Sequence, residues 1–254
     1  MPQFETRSTA LIIGASGGIG LALVQRLIDD DRFHQIIATA RQPDQCQALA
    51  ELAATRDGLE LHALDATNPH AVSALADRLR ERSIRPRLIM YCAGLLHDEG
   101  VVRPEKRLED IEADAMARVF AVNTIGPALV LKAFLPLVPR QAPSVVALVS
   151  ARVGSIKDNR LGGWYAYRSS KAALNQLMRT ASIEARRRFK QSILLCLHPG
   201  TTDTALSRPF QANVPEHKLF EPAFVAERFL AIVDELEIED SGAFLAWDGA
   251  TIPW

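Results

Sequence analysis

The sequence predicts a single α/β domain built on a parallel sheet with helices on both faces. Three observations lead there. Short apolar runs alternate with longer amphipathic ones along the 254 residues, which is the order that βαβ units impose. The short runs are apolar on both sides, as strands covered on both faces must be. No linker, repeat or low-complexity tract divides the chain, and its length can bury a sizeable core.

The elements follow in order. The runs at 9–15, 35–40, 59–64, 87–93, 144–150, 192–198 and 242–247 read as buried strands. Each is too short for a buried helix and rich in Ile, Val and Leu. Between them, apolar residues recur at helical spacing over about 18–29, 43–55, 69–82, 108–138, 165–189 and 222–236. The one long irregular piece is 199–221, and a loop of that length in a compact domain is usually functional.

Charge excludes several function classes. With 29 basic and 30 acidic residues, the net charge is −1, and nothing points to nucleic acid or an anionic membrane. The longest basic run, "ARRRFK" at 185–190, closes a helix, where cations complement the dipole. No apolar stretch is expected to reach the roughly 20 residues of a membrane span. Cys46, Cys92 and Cys196 show no metal-binding or CxxC spacing, which fits a reducing compartment. The N-terminus "MPQFETRST" lacks the apolar core of a signal peptide. The chain reads as cytoplasmic.

"GASGGIG", residues 14–20, lies between the first strand and the first helix. Gly14 permits the tight turn, and Gly18 and Gly20 allow close backbone approach. Exposed N–H groups at the helix start can then hold a pyrophosphate. The spacing departs from G-x-G-x-x-G, so position between strand and helix carries the reading. The second strand ends at Ala40, with no carboxylate for a ribose hydroxyl, and Arg41 follows. An arginine there suits a 2′-phosphate; its other reading is an exposed loop cation. Asp65, after the third strand, can accept from an adenine amino group or cap the next helix, although Thr67 or Asn68 is better placed for the cap.

In "GWYAYRSSKAALN", residues 163–175, Tyr167 and Lys171 are four apart and share a helix face, whereas Tyr165 does not. A nearby ammonium favours the phenolate, which makes Tyr167 a usable general acid near neutral pH.

These signals together resemble the classical short-chain dehydrogenase/reductase family from end to end. Gly14–Gly20, Asp65, "CAG" at 92–94, Asn123 in "VNTIG", Tyr167-x-x-x-Lys171 and "PG" at 199–200 stand in that family's order. "SARVGSI", "DNRLGGWYAYRSSKAALN" and the closing "WDGATIPW" resemble its C-factor-like branch, related to Sniffer-type carbonyl reductases. The resemblance implies a seven-stranded Rossmann sheet of order 3-2-1-4-5-6-7. It implies NADPH held by Gly14, Ser16, Gly18, Ile19 and Gly20, with Arg41, Asp65, Ala93 and Gly94. Pro199, Gly200, Thr202 and Thr204 would lie under and beside the nicotinamide, and 201–221 would form the substrate loop. Tyr167 would protonate a small carbonyl substrate, or deprotonate an alcohol. Lys171 would lower the phenol pKa and bind the nicotinamide ribose. Asn123 would hold a water that links Lys171 to solvent.

Ile13, Tyr91 and Cys92 depart from the family pattern. So does the catalytic serine, whose usual place, three before Gly154, holds Ala151. Ser150, Ser155 or neither then polarises the carbonyl, and Ser150, at the strand end, is the residue chosen here. No metal is expected. The leading function is an NADP(H)-dependent carbonyl reductase, and the alternative is an NADP(H)-binding signalling protein with little turnover. Ala128, Leu131, Phe134, Ala173, Leu177 and Ala181 face either the sheet or a second copy, and a homodimer is expected.

Overall fold

The computed structural model describes Phe4 and residues 7–254. Residues 1–3, 5 and 6, part of the N-terminus read as lacking a leader, lie outside the described residues. The strands in chain order are β1 (Ser8–Ile13), β2 (Phe33–Ala40), β3 (Leu59–Ala63), β4 (Leu88–Tyr91), β5 (Ser144–Val149), β6 (Ser192–His198), β7 (Thr201–Thr202), β8 (Leu219–Phe220) and β9 (Phe244–Ala246). One sheet runs β3-β2-β1-β4-β5-β6-β9, with every pair parallel. That is the expected order, with β9 as the seventh strand.

Alternation along each strand builds two cores. Ala10 and Ile12 face one, with Met90, Ala147 and Leu195; Leu11 and Ile13 face the other, with Ile89, Leu148 and Cys196. Helices α1 (Gly18–Ile28) and α7 (Pro222–Glu235) pack together on the first face. On the second lie α3 (Pro69–Glu81), α5 (Gly126–Phe134) and α6 (Tyr165–Arg188); α2 (Gln47–Thr55) and α4 (Ala113–Phe120) complete the set. Each fully buried Leu, Ile or Phe contributes roughly 1.5–3 kcal/mol of transfer free energy. Local chemistry sets the helix ends. The Asn68 side chain accepts from the N–H groups of His70 and Ala71 at 3.0 and 3.1 Å, with Pro69 at the first helical position, where its missing donor costs nothing. Arg186, Arg187 and Arg188 close α6 and complement its dipole.

Two expected helices differ. The 43–55 helix begins at Gln47, because Pro43–Gln45 make a 3-10 turn and Cys46 is extended. The 108–138 helix is divided. Between α4 and α5 lies a π turn, Ala121–Ile125. Pro127 has no N–H to give the Asn123 carbonyl its i+4 partner. The Tyr91 hydroxyl, buried at the end of β4, donates to the Val122 carbonyl within the turn at 2.9 Å. Tyr91, one of the departures from the family pattern, therefore braces this bulge.

The helical run Ala113–Leu137, 25 residues, is long and apolar enough by length and composition to cross a membrane, contrary to the sequence reading. In the fold it is a core element: α4 packs on α6, α5 packs on α3, and Asn123 is wholly buried within it. Leu131 and Phe134 are buried against the sheet side, so they serve the core. Ala128, Ala173, Leu177 and Ala181 stay half-buried.

Candidate active site

The residues singled out from the sequence gather beyond the carboxyl ends of the strands. Gly14 follows β1, Arg41 follows β2, Asp65 lies beyond β3, Ala93 and Gly94 lie beyond β4, Ser150 follows β5, and Pro199 and Gly200 follow β6. In an open parallel sheet this edge is where ligands bind.

The glycine loop is a tight cradle. Gly14 has φ +83°, and a Cβ there would stand 2.6 Å from the Ala93 nitrogen. A Cβ at Gly20 would stand 2.2 Å from the Gly14 carbonyl oxygen, so side chains are excluded from both. No side chain caps α1, and its first turn holds no acid. Its N–H groups, with the dipole behind them, are left for an anion. Ser16 is exposed and Ile19 half-buried beside them. The cradle fits the pyrophosphate of a dinucleotide. Arg41 is exposed and close enough to Asp65 to lower its pKa, a smaller effect than the bonds Asp65 accepts from the Thr67 hydroxyl (2.7 Å) and N–H (2.9 Å). Asn68, not Asp65, caps α3.

α6 delivers Tyr167 and Lys171 to the same place. They are 8% and 3% exposed, and the ammonium lies 5.8 Å from the phenol ring centroid. Nζ donates to the Val149 carbonyl at 2.9 Å. No hydrogen bond to the Tyr167 hydroxyl is made by any described residue. Burial pushes Lys171 down to about 8, opposed by the Cys196 and Cys92 sulfurs. Burial pushes those thiols up to about 12, so both stay neutral. Burial also raises the Tyr167 pKa above its ordinary value. The expected lowering by Lys171 is thus not present in the protein alone: burial sets the direction, and the ammonium is bonded to the Val149 carbonyl.

Asn123 joins three segments. Its Oδ1 accepts from the Leu95 N–H at 2.8 Å, and its Nδ2 donates to the Leu95 carbonyl at 2.8 Å and to Ser170 Oγ at 3.1 Å. Ser170 donates onward to the Tyr167 carbonyl at 2.8 Å. Both amide hydrogens are committed, so a water at this residue falls to its main-chain carbonyl. Pro199 and Gly200 turn the chain against the Phe220 ring. Thr202 is buried in β7, which pairs with β8. The expected irregular loop is therefore pinched at its base by a two-stranded ribbon. Within it, Thr204 lies where a Gly18 Cβ would be 2.7 Å from its methyl, and Leu206 approaches Gly94. The loop bridges both halves of the cradle.

Residues 8–215 match the family described as short chain dehydrogenase. The chain belongs to the short-chain dehydrogenase/reductase family. It is 32% identical over 248 residues, 97% of this chain and 100% of the relative, to 1-hydroxy-2-glutathionyl-2-methyl-3-butene dehydrogenase of Rhodococcus sp. strain AD45. It is 38% identical over 160 residues, 63% of this chain and 91% of the relative, to the C-signal protein of Myxococcus xanthus. Among solved structures, the NADPH-bound carbonyl reductase from chicken fatty liver superposes with a TM-score of 0.87 at 29% identity, covering 98% of this chain and 96% of that one. This short-chain dehydrogenase/reductase is thus an oxidoreductase of the carbonyl reductase branch.

One expectation about this oxidoreductase fails. Ser150 does not turn into the cleft: its hydroxyl is buried and donates to Asn175 Oδ1 at 2.6 Å. Position 150 continues the inward alternation of Val146 and Leu148 toward α6, and the strand end does not break that alternation. Ser155 is buried as well. It donates to the Pro253 carbonyl and accepts from Asp158 N. Half-buried Ala151 holds the place between them in extended backbone. Sequence reasoning also missed Ser170, Trp164 and Glu105. The Glu105 carboxylate accepts from Ala166 N at the start of α6 from 61 residues away, and no spacing rule could have found it.

The Lys171 shift makes a stability prediction. Its folded pKa lies below its unfolded value of about 10.4, so between about pH 8 and 10 the unfolded chain holds more protons. Its contribution to stability therefore rises with pH. Urea unfolding of the native protein and of Lys171→Met, whose methionine does not titrate, will show the native protein gaining roughly 2–3 kcal/mol relative to the variant from pH 7 to 10. A pH-independent difference would mean that the ammonium is not desolvated.

Proposed function

We propose that the protein is an NADP(H)-dependent oxidoreductase that transfers hydride between the nicotinamide and a carbonyl or alcohol substrate, with Tyr167 as general acid/base. The observation that carries this reading is the pair Tyr167 and Lys171, buried on one helix face beside the glycine cradle, with the phenol hydroxyl unpartnered. When bound, the nicotinamide supplies or accepts the hydride. The chain's own groups do the rest. Burial raises the Tyr167 pKa, which weakens it as a donor, and Lys171 turned from Val149 toward the phenol would lower it again for donation to a carbonyl oxygen. Lys171, still mainly protonated at pH 7, can release Val149 to bond a ribose hydroxyl. The Asn123 carbonyl, deprived of its i+4 donor by Pro127, is the acceptor for a water that resupplies the proton. Arg41, with no carboxylate at Ala40, supports a 2′-phosphate, and the NADPH of the avian reductase supports the same choice. The Rhodococcus relative, named as a dehydrogenase of a glutathionyl alcohol, supports keeping the oxidative direction.

A second reading has its own support. Ala151 stands where the family places a serine, and the C-signal protein is a relative. On this reading the chain binds NADP(H) as a signalling protein with little turnover. Measuring NADPH consumption with quinones, aldehydes and ketones separates the two. Three free thiols support a cytoplasmic setting, and the half-buried stripe Ala173, Leu177 and Ala181 with exposed Ile125 and Ile183 supports a homodimer. Light scattering at micromolar concentration will give twice the chain mass; a monomer rejects the dimer.

Two further outcomes are expected. Tyr167→Phe will keep NADPH binding and lose at least a hundredfold in turnover, the scale of a lost general acid, about 10²–10⁴. Tyr165→Phe will lose less than about threefold, because Tyr165 lies off the Lys171 face; equal losses would assign the wrong tyrosine. By titration, NADPH will bind more tightly than NADH, and Arg41→Ala will remove about 1.5–3 kcal/mol of that preference, the scale of a charged hydrogen bond. Equal affinities in the unmodified protein would overturn the cofactor assignment.

A further inference from the structure

We infer that Trp164 is a specificity-determining wall of the substrate cleft, favouring carbonyl compounds with a flat aromatic group next to the reacting carbon. The inference rests on the carbonyl reductase reading. Its starting point is an unusual backbone. Gly162, Gly163 and Trp164 all have positive φ, at 66°, 67° and 54°. Glycine adopts that region freely; a bulky side chain there is strained. Trp164 occupies the N-cap position of α6 and makes no side-chain cap bond, although small polar residues are the ones favoured there. Helix initiation does not explain a tryptophan.

Strain of this kind persists only where the surroundings over-determine it, and here they do. The Trp164 N–H donates to the Glu105 carbonyl at 2.5 Å. The Glu105 carboxylate, 5% exposed, accepts from Ala166 N. From within α6, Arg168 Nε donates to the carbonyls of Gly162 and Gly163 at 3.2 and 2.9 Å. Two charged side chains, one from a distant segment and one from α6, thus hold the turn.

What the clamp fixes is the indole. Its ring stands edge-on to Tyr167, 6.2 Å between centroids and 79° between planes. It also meets Phe210 of the substrate loop at 5.0 Å and 61°. Phe210 in turn meets His97 at 5.6 Å and 70°. The loop that carries Phe210 is braced by Gln211, which donates to Asp203 Oδ1 at 3.0 Å and Ser207 Oγ at 2.9 Å. A continuous aromatic wall therefore runs from the phenol across the cleft. An aryl group beside a carbonyl seated at Tyr167 gains edge-to-face contact with that wall. A saturated ring of the same size gains only its buried area.

The matched pair benzaldehyde and cyclohexanecarbaldehyde isolates this term. With NADPH as reductant, the ratio of their kcat/KM values is expected to fall about three- to tenfold in Trp164→Leu and to recover in Trp164→Phe, with NADPH affinity unchanged throughout. Leucine in a left-handed position can unsettle α6, so Trp164→Gly, which suits the backbone, must show the same fall. Phe210→Leu, at the other side of the indole, should lower the ratio in the same direction. An unchanged ratio in Trp164→Leu and Trp164→Gly, including an equal loss on both aldehydes, overturns the inference and leaves the reductase reading standing. Failure of the unmodified protein to reduce any carbonyl compound overturns both.

Discussion

Lys171 places an ammonium in a site that is 3% exposed, beside the sulfurs of Cys92 and Cys196, and bonds it to the Val149 carbonyl. Desolvating a charge is costly unless partners compensate, so every element that carries a partner must be held. The bond to Val149 ties α6 to the end of β5, while Leu174, Met178 and Ala185 seat the helix on the core. Gly154 lets the turn after β5 lie against the helix, since a Cβ there would be 2.8 Å from Lys171 Cβ. The thiols remain uncharged because burial raises them as it lowers the lysine. A carboxylate in either place would pair with the ammonium and remove it from the cleft. The phenol shares the same dry environment, which keeps it protonated.

A second set of contacts couples this centre to the cofactor cradle. The π turn exists because Pro127 interrupts the ladder and Tyr91 braces Val122. The turn aims Asn123 at Leu95 and Ser170, tying the exit of β4 to α6. Above it, the loop after β6 lays Thr204 on Gly18 and Leu206 near Gly94. A ligand that spans the cradle must therefore meet the loop after β6.

The serine exchange shows how local alternation constrains chemistry. β5 sends alternate side chains to α6, and Ser150 follows that rule into a bond with Asn175. The next residue faces the other way, and it is Ala151. A one-residue slip would be needed to present Ser150, and a slip inverts every side chain of the strand. With Val146 and Leu148 wholly buried, that inversion is prohibitive. β5 therefore presents no hydroxyl on the side of Ala151.

The strands themselves, the cradle and the Tyr167–Lys171 pair were legible in the sequence because each rests on local rules, whereas the order of the strands came only with the family resemblance. Apolar runs and their spacing define a doubly covered parallel sheet, glycines mark where a backbone must come close, and four residues make one helical turn. The broken helix was partly legible, since Pro127 forbids one bond. Other features were decided only in three dimensions. The Tyr167 pKa shift runs opposite to the expected direction because of burial, which no spacing reports. Ser150 belongs to the core because a partner 25 residues away claims its hydroxyl. Glu105 caps α6, and the indole of Trp164 meets Phe210, 46 residues on in the chain, because the tertiary fold brings together segments that the sequence keeps apart. Local sequence specifies the elements and the groups they carry; desolvation and long-range partners determine what those groups do.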